Sequence, residues 1–341
     1  MLFRSRRGAA PHPQPSDHPP GVLLALAYPD RVAKARGAPG QFLLANGRAA
    51  AVEAMDGLAR APYLVVAEIS GTAANGRILT AAPLTEQEFE TAFASRIGFT
   101  DEIAFDGSGG ALRARRTRRL DAITLASAPM PVPPTPESAA ILADGIARLG
   151  LERLPWSKAL KQWRDRVRFL RSAEGEDSGW PDLSDAALRA SIHAWLAPHL
   201  LGISGLSGIS ADMLSSALHA LLGWEMARRL DQEAPTHFTA PTGNVHPIDY
   251  ESEGAPILAI RVQELYGLKA HPAVARGKRP LTLHLLSPAH RPIQITRDLP
   301  GFWKGSWAGV RSDMRGRYPK HVWPDDPENA LPTARAKPRG T

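Results

Sequence analysis

Cysteine is missing from all 341 residues. Disulfides, thiolate chemistry and cysteine-ligated zinc are therefore excluded, and the usage fits a reducing compartment. Gly-Lys-Ser and Gly-Lys-Thr are missing too; the one Gly-Lys pair, Gly277-Lys278, runs into Arg279-Pro280. A nucleotide-hydrolysing motor needs a glycine-rich turn whose amides and lysine cradle phosphates, then a hydroxyl for magnesium. Asp101-Glu102 likewise continues into Ile103-Ala104 and not into a metal-binding acidic box. No run of about 18 apolar residues is present to span a bilayer, and no repeat of fixed period appears.

Hydrolase and metal signatures are equally thin. Ser204 is followed by Gly205-Leu206 and Ser207 by Gly208-Ile209, so neither has the glycine two residues on that a nucleophile elbow requires. None of the 11 histidines stands in a His-Glu-x-x-His arrangement, and His193 and His199 are too poorly spaced to share a helical face.

What is present is an ordinary globular composition, 43% apolar and 22% charged, which argues against a disordered chain. The length suffices for two or three domains. A formal charge of +7 favours an acidic partner, because clustered Lys and Arg displace counterions from a phosphate backbone. Charge alone does not distinguish nucleic acid from other partners. Residues 1–20 carry arginines without an apolar core, so they read as a disordered leader and not an export signal; the expected location is cytoplasmic.

The periodicity predicts an α+β chain. Residues 22–35 have helical spacing, ended by Gly37, Pro39 and Gly40. Short apolar runs at Phe42-Leu43-Leu44, Tyr63 to Ala67, Arg77-Ile78-Leu79, Glu102 to Phe105 and Leu120 to Leu125 follow, separated by Asn46-Gly47, Asn75-Gly76 and Asp106-Gly107. Those dipeptides tolerate positive φ and suit tight turns, so 21–128 reads as a helix plus a small β-barrel, with a further helix near 85–96. Five prolines between 129 and 136 mark an extended linker. Residues 137–232 form a helical unit: Leu160, Trp163, Val167 and Leu170 share a face, as do Leu188, Ile192 and Trp195, then Leu214, Leu218 and Leu221. Ser184 and Ser210 stand at N-cap positions, and the glycines of 202–208 suggest a pliable connector. Residues 235–330 return to mixed structure, with strands at 257–262 and 281–286 and a helix near 310–317. A disordered tail is expected over 331–341.

The last forty residues are the most specific. Phe302-Trp303, Trp307, Arg315-Gly316-Arg317-Tyr318-Pro319-Lys320-His321 and Trp323-Pro324-Asp325-Asp326-Pro327 combine aromatics, cations and prolines at a density unlike a tail. Together with Leu258-Ala259-Ile260-Arg261-Val262-Gln263-Glu264-Leu265-Tyr266-Gly267, the 285–299 run, Leu24-Ala25-Leu26-Ala27-Tyr28-Pro29-Asp30-Arg31, Phe42 to Arg48, Trp180-Pro181-Asp182-Leu183 and Ile248-Asp249-Tyr250, this block resembles the C-terminal region of the HrpB family of bacterial ATP-dependent, DEAH-type helicases. The resemblance runs in family order from about residue 21 to residue 328.

That resemblance implies a barrel like the oligonucleotide-binding fold, a C-terminal α+β unit of the family's own type, and an accessory role: guiding a strand, RNA rather than DNA, and docking onto helicase motor domains in cis or in trans. ATP and magnesium would belong to the motor domains. The chain, encoded separately or truncated, is expected to hold no cofactor, to need no membrane and to be inactive alone. The candidate nucleic-acid contacts are Arg113, Arg115, Arg116, Arg118 and Arg119, read as a phosphate-tracking edge of the barrel or a solvated edge strand, and Arg315, Arg317 and Lys320. In a regular strand Arg113 and Arg115 face away from Arg116 and Arg118, so a bulge would be needed to aim them together. Trp303, Trp307 and Trp323 read as core anchors more than stacking platforms. Arg261, Gln263, Glu264, Ser287, Arg291 and Gln294 either line a cleft or satisfy strand termini. The alternative function is a protein-interaction module whose aromatic C-terminal unit binds a protein partner.

Overall fold

The computed structural model describes residues 18–251 and 254–335. Most of the expected leader and part of the expected tail, 1–17 and 336–341, lie outside the described residues. The chain divides into two compact units: residues 1–104 with 113–132, and 105–112 with 133–341. No helix among the described residues is long and apolar enough to cross a membrane.

The first unit is built on a closed five-stranded barrel, of strands β1 (Val32–Ala35), β2 (Gln41–Leu44), β3 (Ala49–Ala51), β4 (Tyr63–Gly71) and β5 (Gly76–Leu84), in the order β1-β2-β3-β5-β4. β3 and β5 run parallel, and β1 closes the cylinder by pairing with β4. The unbroken apolar run in β4 follows from burial on both faces. Leu64 and Val66 point inward with Ala33, Phe42, Leu44 and Ile78, whereas Tyr63 and Val65 point outward into a second core. There they meet Ala25 of helix α1 (Pro20–Ala27) and Phe89 and Phe93 of α2 (Glu86–Phe93). Tyr63 and Phe89 stack at 4.0 Å, and Thr85 caps α2 through a reciprocal capping box with Glu88. The helix expected over 22–35 stops at Ala27; beyond Pro29, Val32 and Ala33 are buried on opposite faces of β1. The barrel claims those residues because its closure outweighs local periodicity.

Strands β6 (Gly98–Asp106), β7 (Ala111–Leu120) and β8 (Ile123–Met130) form a separate three-stranded sheet with β7 in the middle. Pro129 sits in β8, a sheet edge where a missing N–H is tolerated. Pro136 then opens helix α3 (Pro136–Leu149), capped by Thr135.

The second unit holds α3, α4 (Lys158–Glu174), α5 (Asp185–Ala190), α6 (Ile192–Trp195), α7 (Ala211–His219) and α8 (Trp224–Glu233). Ser157, Ser184 and Ser210 each accept a backbone N–H at their helix starts. Leu160, Trp163, Val167 and Leu170 are buried as the spacing requires. Of the Leu214, Leu218 and Leu221 stripe, Leu221 is exposed and Leu222 buried instead, because α7 ends at His219 and the helical phase is lost. Residues 202–208 are fastened: the Leu206 N–H donates to the Gly110 carbonyl and the Leu112 N–H to that of Ser204.

Strands β9 (His237–Thr239), β10 (Val245–Asp249), β11 (Ile257–Arg261), β12 (Ala273–Val274), β13 (Arg279–Pro280), β14 (Thr282–Leu286) and β15 (Pro292–Thr296) complete the unit with α9 (Leu299–Lys304) and α10 (Trp307–Arg317). The larger sheet has the order β15-β14-β11-β10-β9, with β11 and β14 parallel; β12 and β13 form a separate hairpin. Leu258, Ile260, Leu283 and Leu285 bury one face. Tyr266, Phe302, Trp303, Trp307 and Trp323 form a linked aromatic cluster.

All eight tryptophans fall between residues 156 and 323, so tryptophan fluorescence follows the unfolding of the second unit alone. Gly145 offers a first test. A Cβ there would lie 2.3–2.6 Å from ring carbons of Phe105. In an open helix Gly→Ala gains about 1 kcal/mol, but overpacking costs about 1–3 kcal/mol. Gly145→Ala should therefore lower the denaturant midpoint read by tryptophan fluorescence; a raised midpoint would refute the tight Phe105 contact.

Candidate nucleic-acid interface

The densest cationic stretch, Arg113, Arg115, Arg116, Arg118 and Arg119, lies on β7. It is not an edge of the barrel, which closes on its own five strands, but the middle of the neighbouring three-stranded sheet. The register between β7 and β8 shifts between Arg118 and Arg119, opposite Ala126 and Thr124. Arg113, Arg115 and Arg116 are all exposed, whereas Arg118 and Arg119 are half-buried.

Acidic residues neutralise part of this cluster. Arg116 donates two bonds to Asp101, at 2.7 and 2.8 Å. These hydrogen bonds hold the Asp101 carboxyl below the usual range and raise the arginine in turn. Arg118 grips Glu90 with both terminal nitrogens, which likewise lowers Glu90. Arg119 approaches Glu102 at 3.7 Å, and its buried Nε has no hydrogen-bond partner in the structure. Arg115 has no carboxylate partner among the described residues. The Arg116–Asp101 pair is solvent-screened, so a phosphate can compete for that arginine.

In the second unit Arg315 and Arg317 occupy the last turn of α10, where the helix dipole favours cations. Arg317 is tied to Asp313 at 3.0 Å. Arg315 and Lys320 are exposed without a carboxylate partner among the described residues. Arg311 is paired with Asp325.

The tryptophans beside these cations are core. Trp303, Trp307 and Trp323 are buried, and each indole N–H donates to a carbonyl, of Leu268, Pro324 and Tyr318 respectively. His321 is held below its ordinary pKa by burial first and by Arg261 second.

The polar residues at the strand ends form an internal network. Glu264 is fully buried and accepts from Asn244 at 2.7 Å, Arg261 at 2.9 Å, His246 at 3.0 Å and Thr242 at 3.2 Å. Burial acts to raise its pKa, but the hydrogen bonds from Asn244, His246 and Arg261 outweigh it and hold the carboxylate low. Gln263 donates to the Val322 carbonyl, and the Ser287 hydroxyl accepts from the Arg291 N–H and the Tyr318 hydroxyl. Every visible acceptor of Glu264 is used inside the unit, which makes it structural.

Sequence reasoning missed Arg48 and Lys34 on the barrel. Arg48 donates to the Gly71 carbonyl while its buried Nε has no hydrogen-bond partner, and Lys34 donates to the carbonyls of Thr124 and Leu125. Isolated cations in apolar runs give no spacing signal. Trp224, 78% exposed with Arg228 over its ring at 5.8 Å, was equally silent. Among the described residues no group of three or more His, Asp or Glu is arranged to hold a metal ion.

Comparison with known proteins adds the family context. Residues 195–327 match the family described as ATP-dependent helicase C-terminal. Over 318 residues the chain is 40% identical to ATP-dependent RNA helicase HrpB of Escherichia coli strain K12, covering 92% of this chain and 39% of the relative. A crystal structure of the E. coli DExH-box NTPase HrpB superposes with a TM-score of 0.58 at 39% identity, covering 93% of this chain and 39% of the other. A second, of the E. coli DEAH/RHA helicase HrpB, gives 0.51 at 37% identity over 88% and 38%. The chain thus spans about two fifths of the length of these relatives.

Proposed function

We propose, from the premise that this chain belongs to the HrpB helicase family through its C-terminal region, that it guides a single nucleic-acid strand, RNA rather than DNA, for ATP-driven motor domains supplied in cis or in trans. The observation that carries this reading is the barrel. Five strands closed in the order β1-β2-β3-β5-β4, with β3 parallel to β5, support reading it as an oligonucleotide-binding fold, a class whose β2–β3 face and β1–β2 and β4–β5 loops take the strand. On that face Arg36 lies in the β1–β2 loop and Arg48 in the β2–β3 turn.

On this reading Arg113, Arg115, Arg116, Arg118 and Arg119, with Arg315, Arg317 and Lys320, supply backbone phosphate contacts. Residues 21–128, which hold α1, the barrel and most of the β6–β8 sheet, the helical residues 137–232 and the C-terminal residues 235–330 act as three functional parts, the first two joined by the proline-rich segment 129–136, whose ends lie in β8 and α3. ATP and magnesium belong to the motor domains; these 341 residues contain no phosphate-binding Gly-Lys-Ser/Thr turn. The protein-partner alternative loses its basis in Trp303, Trp307 and Trp323, because their rings are buried.

The test is salt dependence. Binding of a fluorescent single-stranded RNA should weaken steeply between low and moderate salt, because each neutralised phosphate releases counterions. Arg115→Ala, Arg315→Ala and Lys320→Ala should each reduce the logarithmic slope by about 0.7, the single-strand value for one contact. Arg116→Ala and Arg118→Ala should change it less, since Asp101 and Glu90 already neutralise those side chains. A flat salt response would remove the strand-guiding role.

A further inference from the structure

We propose that a groove between α4 and the open face of the β10–β11–β14 sheet binds a single nucleoside monophosphate unit, with its phosphate at Lys158 and Lys161. The groove encloses about 550 Å³, within the range of roughly 300–1,000 Å³ that holds small ligands. It goes beyond the strand-guiding role and stands if that role falls, since it shares no residue with it.

The wall contributed by α4 is one helical face. Lys158, Lys161, Gln162 and Asp165 all line the groove, as their spacing of three and four residues dictates. The Gln162 amide donates to the Ile248 carbonyl at 3.3 Å and ties helix to sheet. Lys158 and Lys161 are exposed, have no carboxylate partner among the described residues and share the first turn of α4 with no acid. That end of a helix disfavours cations, so two unpaired lysines there are explained by a ligand and not by stability.

The floor is the sheet face opposite the core. Ile257 and Ala259 belong to the central strand, Ala259 stands beside His284, and Asp249 pairs across from Ile257. Ala259 is exposed and small, leaving a flat apolar strip on which a base can lie. Beyond it stand Asp249, Glu251 and Asp165, whose carboxyl is raised chiefly by burial. Carboxylates accept from ribose hydroxyls and exocyclic amines but repel phosphate. The groove is therefore cationic at one end and acidic at the other, which suits one nucleotide unit and opposes a strand running through.

Calorimetric titration of the full chain with adenosine monophosphate, with adenosine, and with the dinucleotide ApA carrying or lacking a 5′-phosphate, tests this. At least one phosphorylated ligand should bind, with affinity reduced tenfold or more by the double substitution Lys158→Ala/Lys161→Ala and by Ala259→Phe, while Lys269→Ala, at an exposed lysine outside the groove, leaves it unchanged. Adenosine monophosphate binding in competition with the phosphorylated dinucleotide identifies a free nucleotide as the source; binding of the phosphorylated dinucleotide alone identifies a strand end. Absence of binding by both phosphorylated ligands, equal binding of their unphosphorylated counterparts, or wild-type affinity in either the lysine or the Ala259 variant would overturn the proposal.

Discussion

Replacing Glu264 with alanine will lower the stability of the second unit by about 3–5 kcal/mol, the cost of breaking a buried ion pair by removing one partner. The carboxylate is fully buried and satisfies Thr242, Asn244, His246 and Arg261 together. Removing it leaves a guanidinium and three polar groups without their acceptor, and each orphaned group costs about 1–3 kcal/mol. The fall is read in the denaturant midpoint of tryptophan fluorescence, which sees this unit alone. Glu264→Gln, which keeps an acceptor oxygen, should lose less. An unchanged midpoint in Glu264→Ala would show that the network contributes nothing net.

The same chemistry sets the response to acid. Burial acts to raise Glu233, but hydrogen bonds from Arg229 and Arg276 outweigh it and hold its carboxyl down from 4.5 to about 2. Glu264 is shifted in the same direction. A depressed carboxylate contributes stability that is fully present above its unfolded pKa and is lost as pH falls through its folded pKa. The tryptophan-reported unit should therefore lose stability between about pH 4.5 and 2, and Glu264→Ala should flatten that dependence.

Trp307→Ala should cost about 3–5 kcal/mol, the range for emptying a large aromatic site in a core. Trp307 is 2% exposed, its ring lies 5.5 Å from Trp303, 5.7 Å from Tyr266 and 6.1 Å from Phe302 and Trp323, and its N–H is bonded to the Pro324 carbonyl. The cavity would adjoin four aromatic neighbours that have no smaller packing to fall back on. Trp224→Ala is the control: that side chain is 78% exposed, and its loss should move the midpoint by no more than about 0.5 kcal/mol. Equal effects from the two substitutions would contradict the burial pattern.

Local patterns carried much of the architecture. The serine caps of α5 and α7, the buried face of α4 and the strands at Ile257–Arg261 and Thr282–Leu286 were legible because each rests on spacing within one element. The inward placement of Trp303, Trp307 and Trp323 was legible from the cost of exposing three indoles. Val32–Ala35 were misread as helix because the apolar pairs of a doubly buried strand mimic helical spacing over four residues. The barrel was legible as a class but not as a set: of the runs read as its strands, Glu102 to Phe105 and Leu120 to Leu125 belong to the β6–β8 sheet, and β1 and β3 were not among them, because closure by β1 and β4 leaves β7 no barrel edge.

By itself, the sequence determined that this chain has no phosphate-cradling turn, no thiol chemistry and a surplus of positive charge, and that it resembles one helicase C-terminal region in order and in detail. Those properties are fixed by residue identity and short spacing. Only the tertiary structure decided which arginines already hold carboxylates, that Glu264 is an internal strut, and that Lys158 and Lys161 face Asp249 across a groove. Such contacts join residues tens of positions apart, and their energies depend on burial and distance, which no local pattern encodes.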